Sequence, residues 1–140
     1  MIKGYTTGVF DLFHVGHLNI LMRAKEMCDY LIVSVSTDEL VESYKGKTPI
    51  IPFEERKRIV GAIRFVDEVV AQTNRDKCAA LENIGFNIMF VGDDWKSSAL
   101  FLETEREFKK RGVDIVYFPY TQGTSSTLIA EILRKNLNER

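Results

Sequence analysis

The chain has 140 residues, 45% of them hydrophobic and 28% charged, which is the size and balance of one globular domain and excludes a disordered or fibrous chain. Its formal net charge is −1, so it lacks the global basic field of a nucleic-acid binder that relies on bulk electrostatics, and any anion site must gather its positive charge locally. No stretch approaches the roughly 20 apolar residues of a membrane span, the N-terminus has no signal-peptide pattern, and two cysteines without framework spacing, Cys28 and Cys78, point to a reduced, cytoplasmic protein.

Residues 3–10, KGYTTGVF, read as a first strand rich in β-branched and aromatic residues. Residues 14–28 read as a helix, with Leu18, Leu21 and Met22 at i, i+3 and i+4. YLIVSVST, 30–37, is an apolar run of the kind a buried parallel strand needs. A short helix, 38–44, opens at Asp38, and the Gly- and Pro-containing 45–51 is a loop. Residues 52–65 begin as a helix begins, with Pro52 at its first position and Glu54 and Glu55 in its first turn. A strand at 67–72, a helix at 76–85 stopped by Gly85 and a strand at 87–94 follow. A helix at 98–112 ended by Gly112, a fifth strand at 113–120 and a last helix at 125–136 close the chain.

Helical crossovers return the chain to the starting edge of a sheet and so impose parallel pairing. The expected fold is a single-domain, doubly wound (Rossmann-like) α/β sandwich over residues 1–140, with about 134–140 a frayed tail. Its five-stranded parallel sheet is expected in the order 3-2-1-4-5. Ligands in such sheets bind beyond the carboxyl ends of the strands, where the order reverses.

The turn after the first strand, GVFDLFHVGH, falls at that crevice and holds both histidines of the chain, His14 and His17. Three apart in the first turn of a helix, they face the same way. Gly16 between them lets a phosphate approach the backbone, and the helix N-terminus adds free N–H groups and partial positive charge. Two partly exposed histidines at a helix start are the plainer reading; placement at the crevice favours a phosphate cradle. Zinc is a further rival, against which the chain has no obvious set of additional Cys or His ligands.

GVFDLFHVGH resembles the HxGH signature of the nucleotidyltransferase superfamily. IRFVDEVV (63–70), VGDDW (91–95) and YTQGTSST (120–127) narrow the resemblance to the cytidylyltransferases, nearest to the glycerol-3-phosphate branch. It runs from about residue 4 to 133. The resemblance implies in-line attack by a substrate phosphate on the α-phosphorus of CTP, with release of pyrophosphate and no covalent enzyme intermediate. Catalysis is then mostly positioning and neutralising charge, with Mg²⁺ carried by CTP.

By the same resemblance His14, His17, Lys47 and Arg64 are the catalytic candidates. Val9, Phe10, Asp11 and Gly16 would meet the nucleotide at the end of the first strand, and Asp94 would meet it after the fourth. Tyr120, Thr121, Gly123, Thr124, Ser125, Ser126 and Thr127 would cradle phosphate at the last helix N-terminus. Tyr120 stands where the family usually has arginine, which takes one guanidinium from the nucleotide. Lys45, Lys77 and Trp95 are substrate-binding candidates. Asp11 has two readings, metal holder or cap of the turn before the helix. Asp67 is read as structural, orienting Arg64 or bridging subunits.

The expected partners are CTP and a small phosphorylated alcohol, glycerol 3-phosphate first, in a homodimer with no nucleic acid or membrane. Phosphocholine, phosphoethanolamine or another phosphomonoester as acceptor, and a phosphosugar adenylyltransferase, are the alternatives within the class. A non-catalytic nucleotide-binding module is the alternative outside it.

Overall fold

A computed structural model describes residues 1–92, 98–119 and 132–135. Five strands form one sheet: β1 (Lys3–Gly8), β2 (Tyr30–Ser36), β3 (Glu68–Gln72), β4 (Ile88–Gly92) and β5 (Asp114–Phe118). Every pairing is parallel and the order is β3-β2-β1-β4-β5, as the alternation of elements predicts. The helices are α1 (Val15–Glu26), α2 (Asp38–Lys45), α3 (Phe53–Gly61), α4 (Lys77–Ile84) and α5 (Ala99–Lys110). Residues 132–135 are helical; the remainder of the predicted last helix lies outside the described residues.

The strands alternate their side chains between two apolar cores. Leu31, Val33 and Val35 of β2 and Phe90 of β4 pack with Leu21 and Ala24 of α1 and Val60 of α3. On the opposite face Tyr5, Ile32, Met89 and Val91 pack with Leu81 of α4 and Phe101 and Phe108 of α5. Tyr5 stacks on Phe86 at 4.6 Å between ring centroids, and Phe90 stacks on Phe118 at 5.5 Å. A side chain such as Phe90, wholly buried, typically contributes about 3–5 kcal/mol against alanine. The site therefore stands on a rigid, two-sided floor.

Several boundaries differ from the expectation, each for a local reason. β1 ends at Gly8 because Phe10 and Leu12 take positive φ values of 54° and 50°, which breaks the extended run. α2 is capped by the Thr37 hydroxyl, which accepts from the Leu40 N–H. Asp38 is thus the first helical residue rather than the cap, and Lys45 is helical rather than in the loop. α3 stops at Gly61, four residues early, because the Ala62 N–H is shared among the carbonyls of Arg58, Ile59 and Val60 and the chain tightens into turns. Gly85 ends α4 in the left-handed conformation (φ 75°), as expected.

Candidate active site

Among the described residues, three connections meet at the carboxyl edge of the sheet: β1–α1, β2–α2 and β3–α4. The first is the β1–α1 turn. His14 is the N-cap of α1, and its Nδ1 accepts the Gly16 N–H at 3.0 Å. The His14 N–H in turn donates to Nδ1 of His17 at 3.2 Å. This is a capping box built from imidazoles, with the two rings stacked 3.9 Å apart. Because each Nδ1 accepts, each neutral ring carries its proton on Nε2 and presents that N–H as a donor.

Burial favours the neutral form of both rings. Burial lowers the pKa of His14. Burial, then the neighbouring His14 ring, brings His17 down to about 4, with Asp11 opposing. Phe10 and Phe13 pack against the His17 ring at 5.4 and 5.2 Å and supply much of the apolar surroundings. Gly16 between the rings is buried.

The Asp11 carboxylate accepts from the backbone of the loop after α2. Its Oδ2 accepts the Ile50 N–H at 2.8 Å and its Oδ1 the Ile51 N–H at 2.9 Å. It pins the loop after α2 against the histidine turn. The helix cap is His14, and among the described residues no group of three His, Cys, Asp or Glu side chains is placed to hold a metal.

Arg56 completes the tie and was not singled out from sequence. It is 1% exposed. Its Nε donates to the Ile51 carbonyl at 2.8 Å, one terminal nitrogen to the Val9 carbonyl at 2.6 Å and the other to Asp38 Oδ1 at 2.7 Å. One guanidinium thus joins the end of β1, the start of α2 and the loop before α3. The signal for it was present: Phe53, Arg56 and Val60 share one face of α3, so an arginine occupies a core-facing position.

A cavity of about 360 Å³ opens beside His17, Val9 and Phe10 and runs from β3 to β4. Its β4 side is apolar, with Val91, Leu100 and Phe101. Its β2–β3 side carries Lys45, Arg75 and Lys77 above Ser36 and Gln72, whose side chains hydrogen-bond at 2.7 Å. Lys77, the first residue of α4, is brought down to about 8 by burial and by Arg75, with Asp76 opposing. Lys45 is lowered by burial, Lys47 and Arg75, against Asp11. Lys47 lies exposed on the loop beside it.

The structure therefore brings His14, His17, Val9, Phe10, Asp11, Gly16, Lys45 and Lys77 to one edge, with Lys47 on the adjoining loop. It does not bring Arg64 there. Arg64 precedes β3, at the amino edge of the sheet, where it lies exposed against Phe65. β3 alone separates it from the crevice by about 13 Å. Asp67 is structural but pairs with Lys25 at 2.6 Å and with the Leu31 N–H, not with Arg64. Asp94, Trp95, Tyr120, Thr121, Gly123, Thr124, Ser125, Ser126 and Thr127 lie outside the described residues.

An open parallel sheet with a ligand crevice at its switch point, imidazole N–H donors at a helix N-terminus and nearby cations defines a class: enzymes that bind a nucleotide by its phosphates. Comparison with known proteins makes this specific. The chain belongs to the cytidylyltransferase-like family, whose model matches residues 5–132, and is a nucleotidyltransferase. It is 39% identical over 132 residues to the glycerol-3-phosphate cytidylyltransferase of Bacillus subtilis, covering 94% of this chain and 96% of that protein. It is also 33% identical over 135 residues to the FAD synthase of Thermococcus sibiricus, covering 96% and 91%. Among solved structures, the lipopolysaccharide core biosynthesis protein of Thermoplasma volcanium superposes with a TM-score of 0.72 at 26% identity, covering 89% of this chain and 99% of that one. No helix among the described residues is long and apolar enough to cross a membrane.

Proposed function

We propose that the chain transfers CMP from CTP to a small phosphomonoester, glycerol 3-phosphate first, giving a CDP-alcohol and pyrophosphate. The observation that carries this reading is one cavity that sets His17, stacked on His14 at the α1 N-terminus, together with Lys45, Arg75 and Lys77. An oxygen of the acceptor phosphate attacks the α-phosphorus, and the bond to the bridging oxygen of pyrophosphate breaks. Two anions must approach each other, so cations are needed on the acceptor side and neutral donors on the nucleotide side. The Nε2–H groups serve the second role without competing for a proton.

The names of the Bacillus and Staphylococcus relatives, at 39% and 36% identity, support glycerol 3-phosphate as the acceptor. The polar floor of Ser36 and Gln72 suits an acceptor bearing hydroxyl groups. Mg²⁺ carried on the triphosphate would neutralise the leaving pyrophosphate. The two free cysteines suit a reducing, cytoplasmic setting. A homodimer, with residues 64–69 near its interface, completes the reading, and sedimentation tests it.

The decisive experiment is pyrophosphate release with CTP, Mg²⁺ and a panel of phosphomonoesters. Glycerol 3-phosphate should lead, and chelation should abolish turnover. His14→Ala and His17→Ala should each lower kcat by about 10²-fold, as removal of a preorganised donor does; near-normal turnover in either would refute its role. The FAD synthase relatives favour a second reading, in which the acceptor is a flavin phosphomonoester. Faster turnover of FMN with ATP than of glycerol 3-phosphate with CTP would select it.

A further inference from the structure

The cavity holds a neutral polar pair that phosphate chemistry alone does not explain. Ser36 ends β2 and Gln72 ends β3, and the two stand opposite each other in the parallel register. They are only 2% and 9% exposed, and both line the cavity. The Ser36 hydroxyl donates to Gln72 Oε1 at 2.7 Å. The Gln72 main-chain carbonyl accepts the Thr37 N–H at 3.1 Å, at the cap of α2.

Both oxygens of Gln72 are thus committed, and the side-chain bond fixes the carboxamide with its oxygen toward β2 and its NH₂ group turned away. Among the described residues nothing accepts from that nitrogen, and no fully buried polar side-chain atom lacks a partner. The nitrogen is therefore not sealed in the core; it opens on the space that Gln72 lines, which is the cavity. Ser36 has spent its one proton and keeps only lone pairs. The pair sets a neutral donor beside a neutral acceptor.

A hydroxyl matches both, because it accepts from one and donates to the other. A phosphate oxygen only accepts, and the charges of Lys45 and Lys77 in the same cavity serve it better. An ammonium group would seek a carboxylate, and none stands among the described residues that line the cavity. An acceptor hydroxyl and a ribose hydroxyl share this chemistry. The pair ends β2 and β3, whereas the histidines follow β1, which places it on the acceptor's side.

We propose that Gln72, oriented by Ser36, is the specificity-determining residue that selects an acceptor carrying a free hydroxyl in addition to its phosphate. This rests on the nucleotidyl-transfer reading, whose acceptor it narrows to polyol phosphates. Gln72 touches the acceptor; Ser36 is a positioning residue.

The test compares glycerol 3-phosphate with propyl phosphate, which has the same carbon chain and no hydroxyl. Wild type should favour glycerol 3-phosphate in kcat/KM by about 100-fold or more, because the analogue leaves the site's polar groups unpaired. Gln72→Met keeps the length and removes the donor; it should cut that preference by at least about 10-fold, slowing glycerol 3-phosphate and not propyl phosphate. Ser36→Ala should cut it by about 3-fold through loss of orientation alone. Should Gln72→Met fail to fold, the Ser36→Ala, Gln72→Leu pair, which removes both partners together, takes its place. An unchanged preference, or an equal loss for both acceptors, overturns the role. So does a Gln72→Met penalty that appears with CTP and vanishes with 2′-deoxy-CTP, which would put the ribose on the pair. Calorimetric titration with the two phosphomonoesters, without nucleotide, decides independently of turnover. Wild type should bind glycerol 3-phosphate at least about 10-fold more tightly than propyl phosphate, and Gln72→Met should lose most of that margin. Equal affinities in wild type refute the role. The margin present without turnover would instead refute the transfer reading alone.

Discussion

Replacing Arg56 by methionine removes one charge and three hydrogen bonds while keeping a long flexible side chain. The Val9 and Ile51 carbonyls each lose a charge-assisted donor, at about 1.5–3 kcal/mol apiece. The Asp38 side chain is 33% exposed and rehydrates, so its share shrinks toward the ~0–1 kcal/mol of a surface pair. Methionine refills most of the volume, which keeps the cavity penalty small. The total is about 3–7 kcal/mol. A chain of this size unfolds with an entropy near 0.3 kcal/mol/K, so Tm should fall by about 10–23 °C. Thermal and urea denaturation followed by circular dichroism measures this, with the urea slope unchanged if only stability is altered. Arg56→Lys should recover little, because one ammonium cannot reach three acceptors in a fixed fork. A loss below about 1 kcal/mol would show that the turn, α2 and the loop hold their places without the guanidinium, and the account of the site's scaffold would fail.

Further expectations follow from the same geometry. His17 titrates at about 4 when folded, against 6.5 ordinarily, so the unfolded chain binds more protons in between; this part of the stability is complete above about pH 6.5 and is lost as pH falls through 4, by at most about 3 kcal/mol. His17→Asn should flatten that acid limb in pH-dependent urea melts, and an unaltered slope would contradict the burial argument. Nitrogen NMR of the two imidazoles at neutral pH should show the Nε2–H tautomer in both; an Nδ1–H form in either would break the capping box. Gly4→Ala places a Cβ within 2.7 Å of Cys28 Sγ and of the buried Phe90 ring, and should lower stability by about 1–3 kcal/mol. A Gly4→Ala, Cys28→Ala pair that melts no higher than Gly4→Ala alone would place the clash at Phe90.

The sheet was legible because its signals are local and repeated. Each apolar run is followed by a helical period and a stop, as at Gly85, and the crossover rule converts that alternation into a strand order. Boundaries failed where a competing hydrogen bond took over, as at Ala62, whose N–H ends α3 early, and at Thr37, whose hydroxyl caps α2 ahead of Asp38. The histidine pair was legible because its spacing of three is itself the geometry. The ties made by Asp11 and Arg56 to partners about 40 and 47 positions away along the chain were not legible, although periodicity alone set Arg56 on a core-facing side of α3 with Phe53 and Val60.

The cations show what a better reading would use. In an all-parallel sheet every strand delivers its carboxyl end to the same edge, so a residue's place after or before its strand states which edge it occupies. Arg75 and Lys77 follow β3 and stand in the cavity; Arg64 precedes β3 and stands at the opposite edge. Motif resemblance singles out Arg64 and passes over Arg75, whereas chain direction sets Arg75 at the cavity edge. The phosphate chemistry of this fold is therefore gathered by topology as much as by motif: charges from α2 and from the β3–α4 connection become neighbours only because parallel strands end together.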